Sequence, residues 1–166
     1  MATGNTHTVL LLDNGTVFGW GDVDRLGQRE VGHFSFLPIQ IPISAPVSFI
    51  ACGSDFTLCV AEGGQVWSWG KGTSGNLGHG VALDEYTPKC IESIQDTSVY
   101  MVAAGSSHSL ALTRQVSRFY QKLVYLIVFE GCIVCMGPGR QRAIGHWRFQ
   151  ESVGTCRSIS SSRYVR

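Results

Sequence analysis

Gly53-Ser54-Asp55-Phe56-Thr57, then Gly63-Gly64, Val66-Trp67-Ser68-Trp69-Gly70 and Leu77-Gly78-His79, form the stretch that decides the fold, because the chain repeats it. The opening pentapeptide returns as Gly4-Asn5-Thr6-His7-Thr8 and as Gly105-Ser106-Ser107-His108-Ser109, at shifts of 49 and 52 residues. Eleven residues beyond Gly4 and Gly53 stand Gly15 and Gly64. Five further on come Trp20-Gly21 and Trp69-Gly70. Leu26-Gly27-Gln28 matches Leu77-Gly78-His79, and Pro38 matches Pro88. Fifteen of the 20 glycines fall in residues 1–113, at these recurring offsets. Self-similarity at a period near fifty marks a repeat architecture.

Each copy reads as strands. Thr8 to Leu12 is an apolar, partly β-branched run that ends at Asn14-Gly15, a strong hairpin signal, and Thr16 to Trp20 is the return strand. Leu58-Cys59-Val60 and Val66 to Trp69 repeat the hairpin about Gly63-Gly64. Val47 to Ala51 and Val99 to Ala104 are short strands that lead into the next glycine turn. Residues 1–113 show no convincing helical periodicity. Short strands, turn glycines and this period predict an all-β chain of β-propeller-type blades.

The third copy breaks and recovers. Its turn glycine is delayed to Gly131, 26 residues after Gly105 where the other copies take 11. From there Ile133 aligns with Val66, Gly137 with Gly70, Gly139 with Gly72, and Ile144-Gly145-His146 with Leu77-Gly78-His79. Met136 then takes the tryptophan position. The expected division is 1–113 for two repeats and the start of a third, 114–129 for an insertion, and 130–146 for the remainder of the third hairpin. Residues 147–166, with Ser158 to Ser162 among arginines, are expected to be a disordered basic tail. The insertion reads as an extra strand, a short helix or a retained non-coding segment.

Composition narrows the class. Among 166 residues, 44% are hydrophobic and 15% charged, below the ~25% of an average globular protein, which excludes disorder throughout. The formal charge of +1 hides a split: residues 1–113 carry a net −6 and residues 114–166 a net +7. The longest apolar run, Leu123 to Phe129, has seven residues, against ~20 for a membrane span. The start lacks a basic, apolar leader, so the six cysteines are expected as reduced thiols and the protein as intracellular, cytoplasmic and/or nuclear.

The combined motif resembles the regulator of chromosome condensation repeat. The resemblance covers residues 4–113 well and 130–146 in part. It implies a seven-bladed propeller of four-stranded blades, of which this chain holds about two to three. It also implies a non-catalytic protein–protein interaction module whose narrower role is guanine-nucleotide exchange on a small GTPase. The implied partner is a protein, a small GTPase or a histone. An open array would need further blades or self-association to close. The alternatives are chromatin or nucleic-acid contact through the basic C-terminal segment, and a truncated product without independent function.

No catalytic, cofactor-binding or metal site is expected. His7 and His108 share a repeat position with Phe56, which cannot act as ligand or base, so they read as structural. Gln28, His79 and His146 share another, read as a turn position. Cys132-x-x-Cys135 lacks a second pair at zinc spacing. Gly70 to Gly75 lacks the order and following helix of a phosphate loop. Trp20 and Trp69 read as core between blades, with Trp67 on the same face as Trp69. The candidate partner-binding residues are Asp22, Asp24, Asp84 and Glu85, in loops after the Trp-Gly pairs.

Overall fold

The computed structural model describes residues 1–28, 33–117, 120–129, 133–136, 146–150 and 155–159. Three four-stranded antiparallel sheets follow one another in chain order. The first holds β1 (Ala2–Thr3), β2 (His7–Leu11), β3 (Val17–Asp22) and β4 (Phe34–Gln40). The second holds β5 (Val47–Cys52), β6 (Phe56–Ala61), β7 (Val66–Gly70) and β8 (Glu85–Cys90). The third holds β9 (Val99–Ala104), β10 (Ser109–Ser117), β11 (Tyr120–Phe129) and β12 (Ile133–Met136). Two short 3-10 turns, Val23–Arg25 and Glu92–Ile94, are the helical pieces among the described residues. The all-β reading with partial propeller blades holds.

The hairpin glycines sit where the sequence placed them, and the structure shows a second reason for them. Gly15 adopts φ +81°, which L side chains rarely take. Its carbonyl accepts the Val47 amide of the next blade at 2.9 Å. A Cβ there would come within 2.7 Å of Pro46 Cβ. Gly64 repeats this arrangement, accepting from Val99 at 3.2 Å. One glycine therefore turns the hairpin and seats the following blade.

Side chains alternate about each sheet and build two cores between sheets. Val9 and Val17, from one face of blade one, pack with Ile41, Val47, Cys59 and Trp69. Leu58, Val60 and Val66, from the opposite face of blade two, pack with Val99, Val102 and Ala111. Trp69 is fully buried and its indole N–H donates to the Arg25 carbonyl at 3.0 Å. Trp67 packs on the same core. Trp20, expected as core with Trp69, is only half-buried, because no described blade lies on its side.

The third blade differs from the alignment. Ser109 pairs with Phe129, as Thr57 pairs with Trp69. Phe129, rather than Met136, thus holds the tryptophan register. Without a glycine near Thr113 to turn it, the chain runs on as a ladder, with Arg114 opposite Val124 and Gln115 opposite Leu123. The stretch expected as an insertion supplies the third strand, in line with its run of β-branched and aromatic residues, Val124, Tyr125, Ile127 and Val128. Ile133–Met136 then pairs outside it, in the fourth-strand place. Phenylalanine has no N–H to offer, and the Asn76 carbonyl is met instead by the buried Ser109 hydroxyl at 2.7 Å. Residues 137–145, which carry the matched glycines, lie outside the described residues, as does Cys132 of the Cys-x-x-Cys pair.

The described part of the tail, residues 147–150 and 155–159, also departs from expectation. β13 (His146–Gln150) and β14 (Thr155–Ile159) form a two-stranded antiparallel pair, Trp147 opposite Ser158 and Phe149 opposite Cys156. Trp147 and Phe149 at a spacing of two are β-favouring residues that the serine-rich composition masks.

Candidate functional site

Each blade is a meander, so the β1–β2, β5–β6 and β9–β10 turns share one end with the long β3–β4 and β7–β8 loops. Hydrogen bonds tie the two sets together: the Asp22 amide donates to Thr6 O at 2.9 Å and the Lys71 amide to Asp55 O at 2.8 Å. This end is the candidate interaction face.

The Gly-x-x-His turn has a simple geometry. The Gly4, Gly53 and Gly105 amides donate to the carbonyls of His7, Phe56 and His108 at 2.8, 2.8 and 2.9 Å. The aromatic ring three residues on lies directly over the glycine. A Cβ would fall 2.3 Å from the His7 ring, 2.0 Å from Phe56 and 2.1 Å from His108. What the turn requires is a flat ring over a bare Cα, which is why phenylalanine replaces histidine in the middle copy.

These turns also join the blades. The Asn5 amide donates to Ser54 O at 2.8 Å, and Ser54 Oγ donates to Ser106 Oγ at 3.1 Å. His7 Nε2 lies 2.9 Å from Thr57 Oγ1 of the next blade. Burial pulls the His7 pKa below its ordinary value, against opposing charge from Asp55. His7 is therefore a neutral structural imidazole. His79, also lowered by burial, sits 2.9 Å from Ser68 Oγ, which donates to Leu77 O at 2.7 Å. Ser68 is fully buried, so this serine–histidine contact stitches the loop and offers no accessible nucleophile.

All four candidate acidic residues lie at this end, with different duties. Asp22 Oδ1 caps the 3-10 turn by accepting the Asp24 amide at 3.1 Å, and its Oδ2 lies 3.9 Å from Arg25 Nε. Asp84 Oδ1 accepts the Gly72 amide at 2.9 Å. Glu85 pairs with Lys89 at 2.8 Å. Asp24 is exposed, and its carboxylate has no hydrogen bond or ion pair among the described residues. Around it the face exposes Asn5, Thr6, Lys71, Thr73, Ser74, Ser106 and Ser107.

The glycines of 70–80 serve the loop itself. The Gly75 amide donates to Gly72 O at 2.8 Å and the Gly78 amide to Gly75 O at 3.2 Å. Amides committed in this way do not form an anion cradle. No group of three potential metal ligands occurs among the described residues. No described helix is long and apolar enough to cross a membrane.

Comparison with known proteins agrees with this geometry. Two profiles described as the regulator of chromosome condensation (RCC1) repeat match residues 63–112 and residues 1–28 and 47–76. The E3 ubiquitin-protein ligase HERC2 of Homo sapiens is 40% identical over 114 residues, 67% of this chain and 2% of its own length. The mitochondrial RCC1 domain-containing protein RUG3 of Arabidopsis thaliana is 32% identical over 124 residues, 69% of this chain and 28% of its own. The chain thus spans under a third of these relatives. Among solved structures, Prp20p of Saccharomyces cerevisiae superposes with a TM-score of 0.63 at 24% identity, covering 71% of this chain and 31% of that one. Human WBSCR16 gives 0.60 at 24% identity, over 80% and 35%. The ring-over-glycine turns, the blade-seating glycines and the matched profiles agree, and this chain belongs to the RCC1 repeat family.

Proposed function

We propose that this chain is a non-catalytic interaction module which presents the turn-and-loop end of its blades to a protein partner inside the cell, in the cytoplasm or the nucleus. One observation carries the reading. The Asn5–Ser54 backbone bond and the Ser54–Ser106 hydroxyl pair join the blades at that end, and the Asp22 and Lys71 amides tie each loop to its own blade's turn, while Asp24 and the neighbouring polar residues stay exposed. Loops on a rigid scaffold are where binding surfaces sit.

The partner class we favour is a small GTPase or a basic histone segment. The support is likeness to Prp20p, whose crystal structure is described with its binding to Gsp1p and histones. Exposed carboxylate on the face suits a basic segment. Guanine-nucleotide exchange is the narrower form of this reading.

The test is retention of Gsp1p and of core histones by the immobilised full chain, with fluorescent-GDP release from Gsp1p measured in parallel. Retention that weakens with Asp24→Lys supports the face. Accelerated release adds exchange activity, and retention without release leaves a scaffold. Failure to retain either partner contradicts the proposal. The net charge of +7 over residues 114–166 favours a second reading, contact with nucleic-acid phosphates. It predicts binding that falls steeply with salt and is lost on deleting residues 147–166.

A further inference from the structure

The hairpin of blade one is closed by a chemically reactive pair, Asn14-Gly15. The Leu12 amide donates to Thr16 O at 2.9 Å and the Gly15 amide to Leu12 O at 2.9 Å. Asn14 is exposed, and its Oδ1 accepts the Thr16 amide at 3.0 Å. The ring closed by that bond contains the Gly15 nitrogen, so the carboxamide is bent back along the Gly15 peptide. Gly15 has no side chain to shield its nitrogen. The other two asparagines lack this setting. Asn5 precedes the β-branched Thr6. Asn76 precedes Leu77, is 2% exposed, and donates to Lys71 O at 2.9 Å. In blade two the matching turn is Glu62-Gly63-Gly64, which has no carboxamide.

We propose that Asn14 is a self-modification site, at which the hairpin converts to isoaspartate and thereby loosens the seat of blade two. The Gly15 nitrogen bonds to Asn14 Cγ, the carboxamide C–N bond breaks, and ammonia leaves with the proton from the Gly15 amide. The Thr16 amide already donates to the oxygen on which negative charge develops during that attack. Water then opens the cyclic imide. Opening at Cγ gives aspartate. Opening at the backbone carbonyl gives isoaspartate, whose main chain runs through the side-chain methylene and is longer by one C–C bond, about 1.5 Å. Gly15 has no room for that shift. Its carbonyl accepts the Val47 amide at 2.9 Å, and its Cα lies so close to blade two that a Cβ would come within 2.7 Å of Pro46 Cβ. The event is confined to one joint, because the Val99 bond to Gly64 O sits on a turn without a carboxamide. This inference is independent of what binds the loop end, since the hairpin lies at the opposite end of the blade.

The test ages the full chain in mildly alkaline buffer, folded and in urea, with peptide mapping by mass spectrometry. Isoaspartate is read by methyl transfer from labelled S-adenosylmethionine with an isoaspartyl methyltransferase. Freeing the Gly15 amide breaks one exposed hydrogen bond, so the folded chain should convert Asn14 at most about tenfold more slowly than the unfolded chain. Asn5 and Asn76 stay intact in the folded chain over that time. In the isoaspartate fraction amide exchange at Val47 accelerates, while Val99 stays protected. Freshly prepared Asn14→Asp, which adds the charge without the extra bond, keeps Val47 protected. Asn14→Gln, whose amide would have to close a larger ring, removes the methyl acceptor. Conversion of the folded chain only at the rate of global unfolding overturns the proposal. So does isoaspartate at position 14 with Val47 exchange unchanged, or methyl acceptance that survives Asn14→Gln.

Discussion

Replacing Gly53 by alanine tests the ring-over-glycine turn most sharply. The added methyl would fall 2.0, 2.5 and 2.6 Å from three ring carbons of Phe56, where real Cβ contacts are never under 3.0 Å. The ring has nowhere to go: Phe56 is 1% exposed and packed among Leu58, Val66 and Leu77. Overpacking of this kind costs about 1–3 kcal/mol. In a chain of this size each kcal/mol lowers the melting temperature by roughly 2–4 °C, so Gly53→Ala is expected to melt about 2–12 °C lower. Thermal unfolding followed by circular dichroism reads the shift. The mechanism makes a further demand. Phe56→Ala alone costs about 3–5 kcal/mol, but it removes the ring that clashes. Gly53→Ala added to Phe56→Ala should therefore cost almost nothing, giving a coupling about equal to the single-mutant penalty. An equal cost of Gly53→Ala in both backgrounds would refute the reasoning, and would assign the glycine to backbone freedom instead.

Other outcomes follow from the same contacts. Trp69→Phe keeps the apolar bulk but strands the Arg25 carbonyl, and should lower unfolding stability by about 1–3 kcal/mol in denaturant titration. His7 is held below its ordinary value of 6.5 chiefly by burial. The unfolded chain then binds the proton more tightly, so this contribution to stability is complete above pH 6.5 and is lost as pH falls below it. His7→Phe, the residue of the middle repeat, should flatten stability against pH just below 6.5. An unchanged slope would sink that account. Burial pushes the Cys52 thiol up to about 11 and raises Cys59 further, whereas Cys90 is the least buried of the three. Among these three, timed alkylation with mass spectrometry should label Cys90 before Cys52, and Cys59 only on unfolding.

The repeat was legible because its glycines answer local needs. Gly15 and Gly64 must turn and also admit a neighbouring backbone, and Gly4, Gly53 and Gly105 must lie beneath a ring. Such needs leave fixed spacings that a reader of residues can find. The third hairpin was misplaced for the opposite reason. A ladder can lengthen by any number of pairs without a local signal, so Gly131 drew the alignment away from Phe129, which pairing alone reveals. Asp22, Asp84 and Glu85 looked like free loop carboxylates, because their partners, the Asp24 and Gly72 amides and Lys89, are set by loop geometry. Trp20 and Trp69 read alike in the sequence. Only the presence of a blade on one side distinguishes them.

The central claim is that backbone bonds join the blades into one scaffold, through Asn5 at the loop end and through Val47 and Val99 at the hairpin end. Amide hydrogen exchange at Asn5, Val47 and Val99 tests it most directly. Each of these amides donates to a carbonyl of the neighbouring blade: Ser54, Gly15 and Gly64 respectively. The account predicts that all three exchange as slowly as strand amides such as those of Leu58 and Val60. Exchange at unfolded-chain rates, with the strands still protected, would contradict it.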